Sequence, residues 1–450
     1  MSPKRIAQER DVAIVVPLGG DGTRFYPLTL HTQKQLIPIA NHPILGASLY
    51  HWIREGATDV VFGATGYDNR VQTKRFFGGG GRYAKLSDKT RFYFANYDND
   101  TFSQRGSADV FAWCLDEYRG MMGDRDVLLI NGDNISTTPL DDFYQAHRDT
   151  GALMTLAVKA FNINDPRLEG YGTVTFDDKK KVTRFDEKTK NPTSRYVNTA
   201  ICIFNPKIHD VLKSEDFRRH LEARRSGGRL DVGGQFIPAL IECDMPVFAY
   251  VLEGPWADVG TFDSFQETTQ DILHQKYRNL GYPNCSKVET ETGVALVDNE
   301  TYDRIRPNIN DFTFEDSCLL DRQSAIGRDV RVSNSVIGEN VVVGNGVELG
   351  ETTLLPFSRV GDRVRITNAI VGQCTRIGSG SVIETGAFIG DDIKLPDDTR
   401  IGVDWRVAKD DYYDVVMNAK ASDGGPMYEL VERLEESRAF AFKERRVQSQ

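Results

Sequence analysis

The chain has 450 residues, 40% of them apolar and 27% charged, with a formal net charge of −10 at pH 7. That length exceeds one ordinary core, so two domains are expected, one of them large, and the balance of core and surface formers excludes a disordered chain. Acidic and basic residues are interspersed, which excludes a nucleic-acid-binding face, and no stretch approaches the roughly 20 apolar residues of a membrane span.

The charged start MSPKRIAQER resembles no targeting segment, so a cytoplasmic protein is expected. The six cysteines stand far apart, without the close pairs of a zinc or redox motif. They read as reduced, mostly buried thiols.

The first apolar run, VAIVVPL at 12–18, reads as a buried strand. It ends in Gly19, Gly20, Asp21, Gly22, Thr23 and Arg24, and Lys34 follows ten residues past the arginine. Glycines here admit positive φ and close approach of a ligand, and unpaired amides in such a turn form an anion nest. A hydroxyl and two cations beside that nest suit a polyphosphate. A P-loop would need Lys-Ser or Lys-Thr after its last glycine, where Thr23-Arg24 stands, and a dinucleotide fingerprint would need glycine at Phe25.

Short apolar runs then alternate with helical patterns as far as Leu280: DVVFGATG, RFYFANY, DVLLINGD, LMTLAVKA and AICIFNP. That order predicts an α/β domain, a mainly parallel sheet covered by helices. Ligands bind such sheets at the carboxyl ends of strands, which singles out Asp133 in VLLINGDNI and Asp258 in GPWADVGTF. Taken alone, an aspartate at a strand end is most often a turn or cap residue. Lys179, Lys180 and Lys181 read as an exposed hairpin tip without a role.

Beyond Phe314 one apolar residue recurs at every sixth position, from Leu320 through Ile326, Val332, Ile337, Val343, Leu349, Leu355 and Val360 to Ile401, with three steps of five. A single six-residue rung cannot bury itself, so stacked rungs forming a parallel β-helix of about five coils are predicted. The final segment MYELVERLEESRAFAFKERR reads as an amphipathic helix capping the solenoid or meeting another subunit. The predicted divisions are residues 1–280, a linker at 281–314, the β-helix at 315–405 and a helical tail at 406–450.

The opening motif resembles the signature of the sugar-1-phosphate nucleotidylyltransferases, Gly-Gly-x-Gly-Thr-Arg-x-x-Pro-Leu-Thr followed by a motif lysine. Here it reads Gly19 to Thr29, with Lys34, Pro38 and Pro43 behind it and Gln33 where the family usually has proline. KQLIPIANHPI leans toward the thymidylyltransferase branch, and SQRGSADVFAW is similar to the base-pocket element of the ADP-glucose branch. The resemblance implies a Rossmann-like nucleotide-diphospho-sugar transferase fold followed by a left-handed parallel β-helix of hexapeptide repeats.

It also implies that Arg24 and Lys34 hold the triphosphate and the departing pyrophosphate, while Leu18, Gly19, Gly20, Gly22 and Thr23 meet the nucleotide. Gln104, Gly106 and Ser107 then line the base pocket, with Asn96 or Gln104 as the base reader, and Asp133 and Asp258 bind Mg2+. Tyr171, Gly172, Glu187, Lys188 and Asn198 match the family's sugar-binding elements, with Thr189 replacing the usual proline and Ala200 the usual glycine. Glu187 can accept from sugar hydroxyls, Lys188 can neutralise the sugar phosphate, and Asn198 can donate and accept.

The implied activity joins a nucleoside triphosphate to a hexose 1-phosphate of the glucose-1-phosphate type, releasing pyrophosphate, in a homo-oligomer, dimer or tetramer. The same chemistry on mannose 1-phosphate or a cyclitol phosphate is an alternative, as is a non-catalytic regulatory subunit. An acyltransferase β-helix is a further rival. It would want a histidine base, and all seven histidines, ending at His274, precede the repeat.

Overall fold

The structure, a computed structural model, describes residues 12–20, 22–78, 90–95, 106–277, 280, 285–418 and 428–444. Contacts divide the chain into two compact units, Met1–Gly20 with Leu45–Asp258 and Asp21–Ile44 with Val259–Gln450. The contacts divide at Asp258, and the segment carrying Arg24 and Lys34 groups with the second unit. No helix among the described residues is long and apolar enough to cross a membrane.

The first unit is built on strands β1 (Val12–Leu18), β2 (Asp59–Ala64), β3 (Arg91–Phe94), β4 (Asp126–Ile130), β5 (Asn134–Ser136), β6 (Met154–Ala160), β7 (Gly172–Phe176), β8 (Val182–Glu187), β9 (Tyr196–Phe204), β10 (Val247–Val251) and β11 (Trp256–Asp258). Its helices include α1 (Ile44–Arg54), α2 (Tyr67–Phe77), α3 (Ser107–Glu117) and α4 (Leu140–Thr150). The main sheet runs β8-β7-β9-β4-β1-β2-β3, with β6 on β9 and β10 on β6. All six apolar runs singled out in the sequence form its strands. β1, β2 and β4 are buried along nearly their whole length, as strands covered by helices on both faces must be.

Parallel pairing of β1 with β2 and β4 brings their carboxyl ends to one edge of the sheet. β9 runs antiparallel to β4 with Ile201 opposite Ile130, so Asn198 to Ala200 reach that same edge. β6 arrives there too, with Lys159 opposite Val197, and β10 beside it leads into β11. One edge thus collects residues 18–20, 64–66, 131–133, 159–160, 198–200 and 253–258.

In the second unit three parallel ladders wind into a β-helix. Val332, Leu349, Ile366, Ile383 and Ile401 stack in one sheet. Ile326, Val343, Val360, Ile377 and Leu395 stack in another. The third holds Leu320, Ile337, Leu354, Val371, Ile389 and Val407. The inward residue is therefore Leu354 and not the expected Leu355. With that one-residue correction each five-residue step falls at the same corner, where Asn334, Glu351 and Asn368 take positive φ. Left-handed residues mark the six-residue corners too, among them Asn340, Phe357 and Arg363, and Asn tolerates that conformation best after glycine.

From Cys285 on, the expected linker holds regular structure. Cys285–Glu289 and Gly293–Asp298 form a hairpin whose second strand pairs in parallel with Phe312–Leu320, burying Ala295 and Val297. The expected C-terminal helix is absent from the described residues. Instead β12 (Arg406–Lys409) pairs antiparallel with β14 (Ala439–Glu444), which forms a hairpin with β13 (Tyr428–Leu434). Leu430 and Leu434 have helical spacing, but AFAF has the period of a strand buried on both faces. Ala439 and Ala441 turn into the β-helix core, whereas Phe440 and Phe442 pack with Tyr26 and Tyr428.

Candidate functional site

In the first unit, β1 ends at Leu18, whose carbonyl accepts hydrogen bonds from the Thr65 amide (2.8 Å) and hydroxyl (3.2 Å) beyond β2. A Cβ on Gly19 would lie 2.5 Å from Thr65 Oγ1. Gly20 has φ +88° and open space around it, so the backbone there is approachable.

Asp133 immediately precedes β5, and Asp258 closes β11. β5 and β11 form a two-stranded antiparallel ribbon in which Asp258 is opposite Asn134, the residue after Asp133. Both carboxylates therefore reach the same end of one ribbon. The far end of β5 is pinned by buried His51 on α1, whose Nε2–H donates to the Thr138 carbonyl at 2.6 Å. Burial lowers the pKa of His51, which keeps the ring neutral.

The residues at this ribbon end fit a hard divalent cation. Asp133 and Asp258 supply carboxylate oxygens, and Asn134, paired with Asp258, has its Oδ1 buried without a hydrogen-bond partner. Among the described residues no three His, Cys, Asp or Glu side chains converge to hold a metal by themselves. One or two carboxylates completed by substrate phosphates is the Mg2+ pattern, not that of an all-protein cage.

The hairpin β7–β8 sets Gly172 opposite Glu187, and the Lys188 amide donates to the Tyr171 carbonyl. Glu187 is wedged: a Cβ on either Gly172 or Gly233 would stand 2.7 Å from its Oε2. Only a third of the side chain is exposed, with Lys188 Nζ 3.8 Å away. Burial raises the Glu187 pKa, Lys188 opposes that, and Asp231 adds to it. The rings of Tyr171 and Trp256 meet at 5.6 Å and join the Glu187 hairpin to the strand of Asp258. Asn198 Oδ1 accepts from the Ala200 amide at 3.1 Å, across a bulge in β9. Ala200 has φ +57°, the conformation that the family's glycine takes at no cost.

Gly106 and Ser107 join the same neighbourhood through the loop at 230–233. The Ser107 amide donates to Asp231 Oδ1 at 3.0 Å, its hydroxyl accepts from the Val232 amide at 3.0 Å, and a Cβ on Gly106 would meet the Leu230 carbonyl at 2.2 Å. Asp109 completes the knot by accepting from the Leu230 amide and pairing with Arg225 at 2.9 Å. Asn96 and Gln104 lie outside the described residues.

The sequence reading missed three contributors here. Gly233 and Asp231 border Glu187, in a DVGGQF stretch whose paired glycines were the available signal. Lys159, a lysine inside an apolar run, donates to the Gly254 carbonyl at 2.9 Å, and burial lowers its pKa.

In the second unit, Gly22 (φ +60°) opens a 3-10 turn, Thr23–Phe25. The Thr29 hydroxyl donates to the Gly22 carbonyl at 2.8 Å, and a Cβ on Gly22 would lie 3.4 Å from Lys34 Cβ, so the Arg24 turn and the Lys34 stem are neighbours. Both rest on Phe25, which is fully buried against Phe265 and Phe388, with Lys34 Nζ 6.0 Å from its ring centre. Arg24 is exposed. Gln33, the departure from the family pattern, is buried at the start of the turn carrying Lys34.

The nucleotidyl transferase family model matches residues 13–275, and that of the GMPPB C-terminal domain matches residues 314–404. The chain is 25% identical over 350 residues to a glucose-1-phosphate thymidylyltransferase of Streptomyces antibioticus, covering 77% of this chain and 82% of that protein. It is 24% identical to a UTP–glucose-1-phosphate uridylyltransferase of Synechocystis sp., covering 76% and 82%. With a mannose-1-phosphate guanylyltransferase of Mycobacterium tuberculosis it shares 26% identity over 263 residues, 58% of this chain and 65% of that one. The nucleotidyl transferase match spans more than half the chain, so the protein belongs to the nucleotidyl transferases that act on sugar 1-phosphates.

Proposed function

We propose that the chain condenses a nucleoside triphosphate with a hexose 1-phosphate of the glucose-1-phosphate type. A phosphate oxygen of the sugar forms a bond to the α-phosphorus, the bond from that phosphorus to the bridging oxygen breaks, and pyrophosphate leaves with the charge. The observation that supports this reading is the ribbon register that sets Asp258 opposite Asn134, the neighbour of Asp133, where the buried Asn134 Oδ1 has no hydrogen-bond partner.

Arg24 and Lys34 meet the charge that accumulates on pyrophosphate, which lowers the barrier more than it stabilises the bound triphosphate. Lys188 neutralises the incoming sugar phosphate and Glu187 accepts from sugar hydroxyls, its wedged seat fixing where those hydroxyls sit. Asn198 adds a further sugar contact, and the amides of Leu18, Gly19 and Gly20 face the nucleotide. Asp133 and Asp258 would hold a Mg2+ ion, which would supply charge neutralisation at the phosphates. Positioning and fixed charge suffice for such a transfer without a covalent enzyme intermediate.

Mannose 1-phosphate is the second reading, favoured by the match of residues 314–404 to the GMPPB C-terminal domain and by the similarity to a mannose-1-phosphate guanylyltransferase. A pyrophosphate-release screen crossing the common nucleoside triphosphates with glucose, mannose, galactose and N-acetylglucosamine 1-phosphates decides between them. Turnover confined to a mannose 1-phosphate pair would replace the first reading by the second, and release with no pair would overturn both.

A further inference from the structure

The 3-10 turn that carries Arg24 is too short to satisfy all its own carbonyls: among the described residues, those of Gly22 and Thr23 accept local amides. The Arg24 and Tyr26 carbonyls, and the Thr23 carbonyl a second time, are met by side chains far along the chain. Arg406 Nη1, on β12, donates to the Arg24 carbonyl at 2.9 Å and to the Tyr26 carbonyl at 2.8 Å. The Tyr428 hydroxyl, on β13, donates to the Thr23 carbonyl at 2.6 Å and accepts from Arg406 at 3.1 Å. Both anchoring side chains are themselves sequestered, Arg406 at 11% exposure and Tyr428 at 3%. The Arg406 guanidinium lies over the rings of Phe388 and Tyr428, and Glu444 on β14 approaches it at 3.5 Å.

We propose that Arg406 and Tyr428 are positioning residues for Arg24, so that these two side chains serve the reaction and do not only cap the β-helix. Three carbonyls among four successive residues, each held by a buried donor from a rigid strand, fix the direction in which the Arg24 side chain leaves the backbone. A cation that stabilises a departing pyrophosphate works only if its place is set before the reaction, because reorganisation at that moment costs rate. Arg406 and Tyr428 supply that preorganisation across 382 and 405 residues of sequence. This inference rests on the proposed role of Arg24, and its test separates the two.

The experiment compares Tyr428→Phe, Arg406→Gln, Arg24→Ala and their double variants with Arg433→Gln, a change in the same hairpin at a residue that pairs with Asp410. Steady-state kinetics, thermal midpoints and hydrogen exchange of the peptide spanning residues 22–30 are measured on the full chain. Losing one buried donor is expected to lower kcat/KM about 3- to 30-fold, chiefly through kcat, while exchange in residues 22–30 quickens and Arg433→Gln changes neither. Added to Arg24→Ala, either change produces little further loss, since each acts through Arg24. Wild-type kcat in Tyr428→Phe and Arg406→Gln, with Arg24→Ala impaired, overturns the proposal, as does a loss that adds in full to that of Arg24→Ala. If Arg406→Gln does not fold, Tyr428→Phe alone decides. If wild-type protein releases no pyrophosphate with any substrate pair, the reaction reading fails, and exchange in residues 22–30 decides the anchoring: faster exchange in the variants supports it and unchanged exchange refutes it.

Discussion

Replacing Gly233 by alanine should impair sugar binding while leaving the fold intact. The new methyl carbon would lie 2.7 Å from Glu187 Oε2 and 3.2 Å from its Cδ, and the carboxylate must retreat by about 0.7 Å to regain ordinary contact. The obstructing atoms are the end of a flexible side chain, so the strain is relieved by moving Glu187, and the thermal midpoint should shift by no more than about 2 °C, the scale of a few tenths of a kcal/mol. What is lost is the aim of the carboxylate. A charge-assisted hydrogen bond contributes about 1.5–3 kcal/mol, so KM for the sugar 1-phosphate should rise roughly 10- to 100-fold, with KM for the nucleotide nearly unchanged. Initial-rate kinetics with each substrate varied in turn measure both. A folded Gly233→Ala protein with wild-type KM for the sugar 1-phosphate would refute the seat assigned to Glu187.

Gly106→Ala should behave in the opposite way, because its methyl would meet the backbone carbonyl of Leu230 at 2.2 Å, where nothing can yield cheaply; a loss of about 1–3 kcal/mol in urea unfolding is expected, and an unchanged midpoint would contradict the knot between residues 106–109 and 230–232. Asp391 in the second unit is 9% exposed, with its carboxylate accepting from the Gln373 amide at 2.7 Å, and burial pushes its pKa up to about 6. Below about pH 4 the group is protonated whether folded or not; between pH 4 and 6 the unfolded chain ionises it first, so stability falls as pH rises, by about 2–3 kcal/mol in all. Asp391→Asn should remove that slope in denaturation midpoints taken from pH 4 to 7, and a slope parallel to wild type would show that Asp391 is not its source. Ile366→Ala, at a fully buried rung of the β-helix, should cost about 2–5 kcal/mol in the unfolding of the second unit, and a loss below 1 kcal/mol would contradict the stacked register.

Periodicity made the large features legible. Strands such as VAIVVPL and DVLLINGD are apolar throughout because both sheet faces are covered, and the six-residue repeat is what three ladders of stacked aliphatic residues require. Errors arose where two residues competed for one role. In TTLLPF either leucine fits a spacing of five or six, and only strand register selects Leu354. In the C-terminal segment the helical spacing of Leu430 and Leu434 outweighed the alternation of AFAF, because the strand partner of AFAF, Arg406–Lys409, lies some thirty residues earlier and is invisible locally.

Candidate site residues divide in the same way. Arg24, Lys34, Asp133 and Asp258 were singled out by residue type, spacing and resemblance. What holds them was not: Gly233 against Glu187, and Arg406 and Tyr428 against the carbonyls of residues 23–26, are contacts across 46 and about 400 residues. Ala200 is an intermediate case. Its place in the motif marked it as a substituted glycine, and φ +57° gives the physical meaning of the substitution.

The account stands most directly on Asp133 and Asp258. Pyrophosphate release by wild-type protein, Asp133→Ala and Asp258→Ala, followed across a Mg2+ titration with the best substrate pair, should show metal-dependent turnover in the wild type and its loss in both variants, with thermal midpoints preserved. Undiminished release by both variants would contradict the assignment of that ribbon end to the metal and the phosphates.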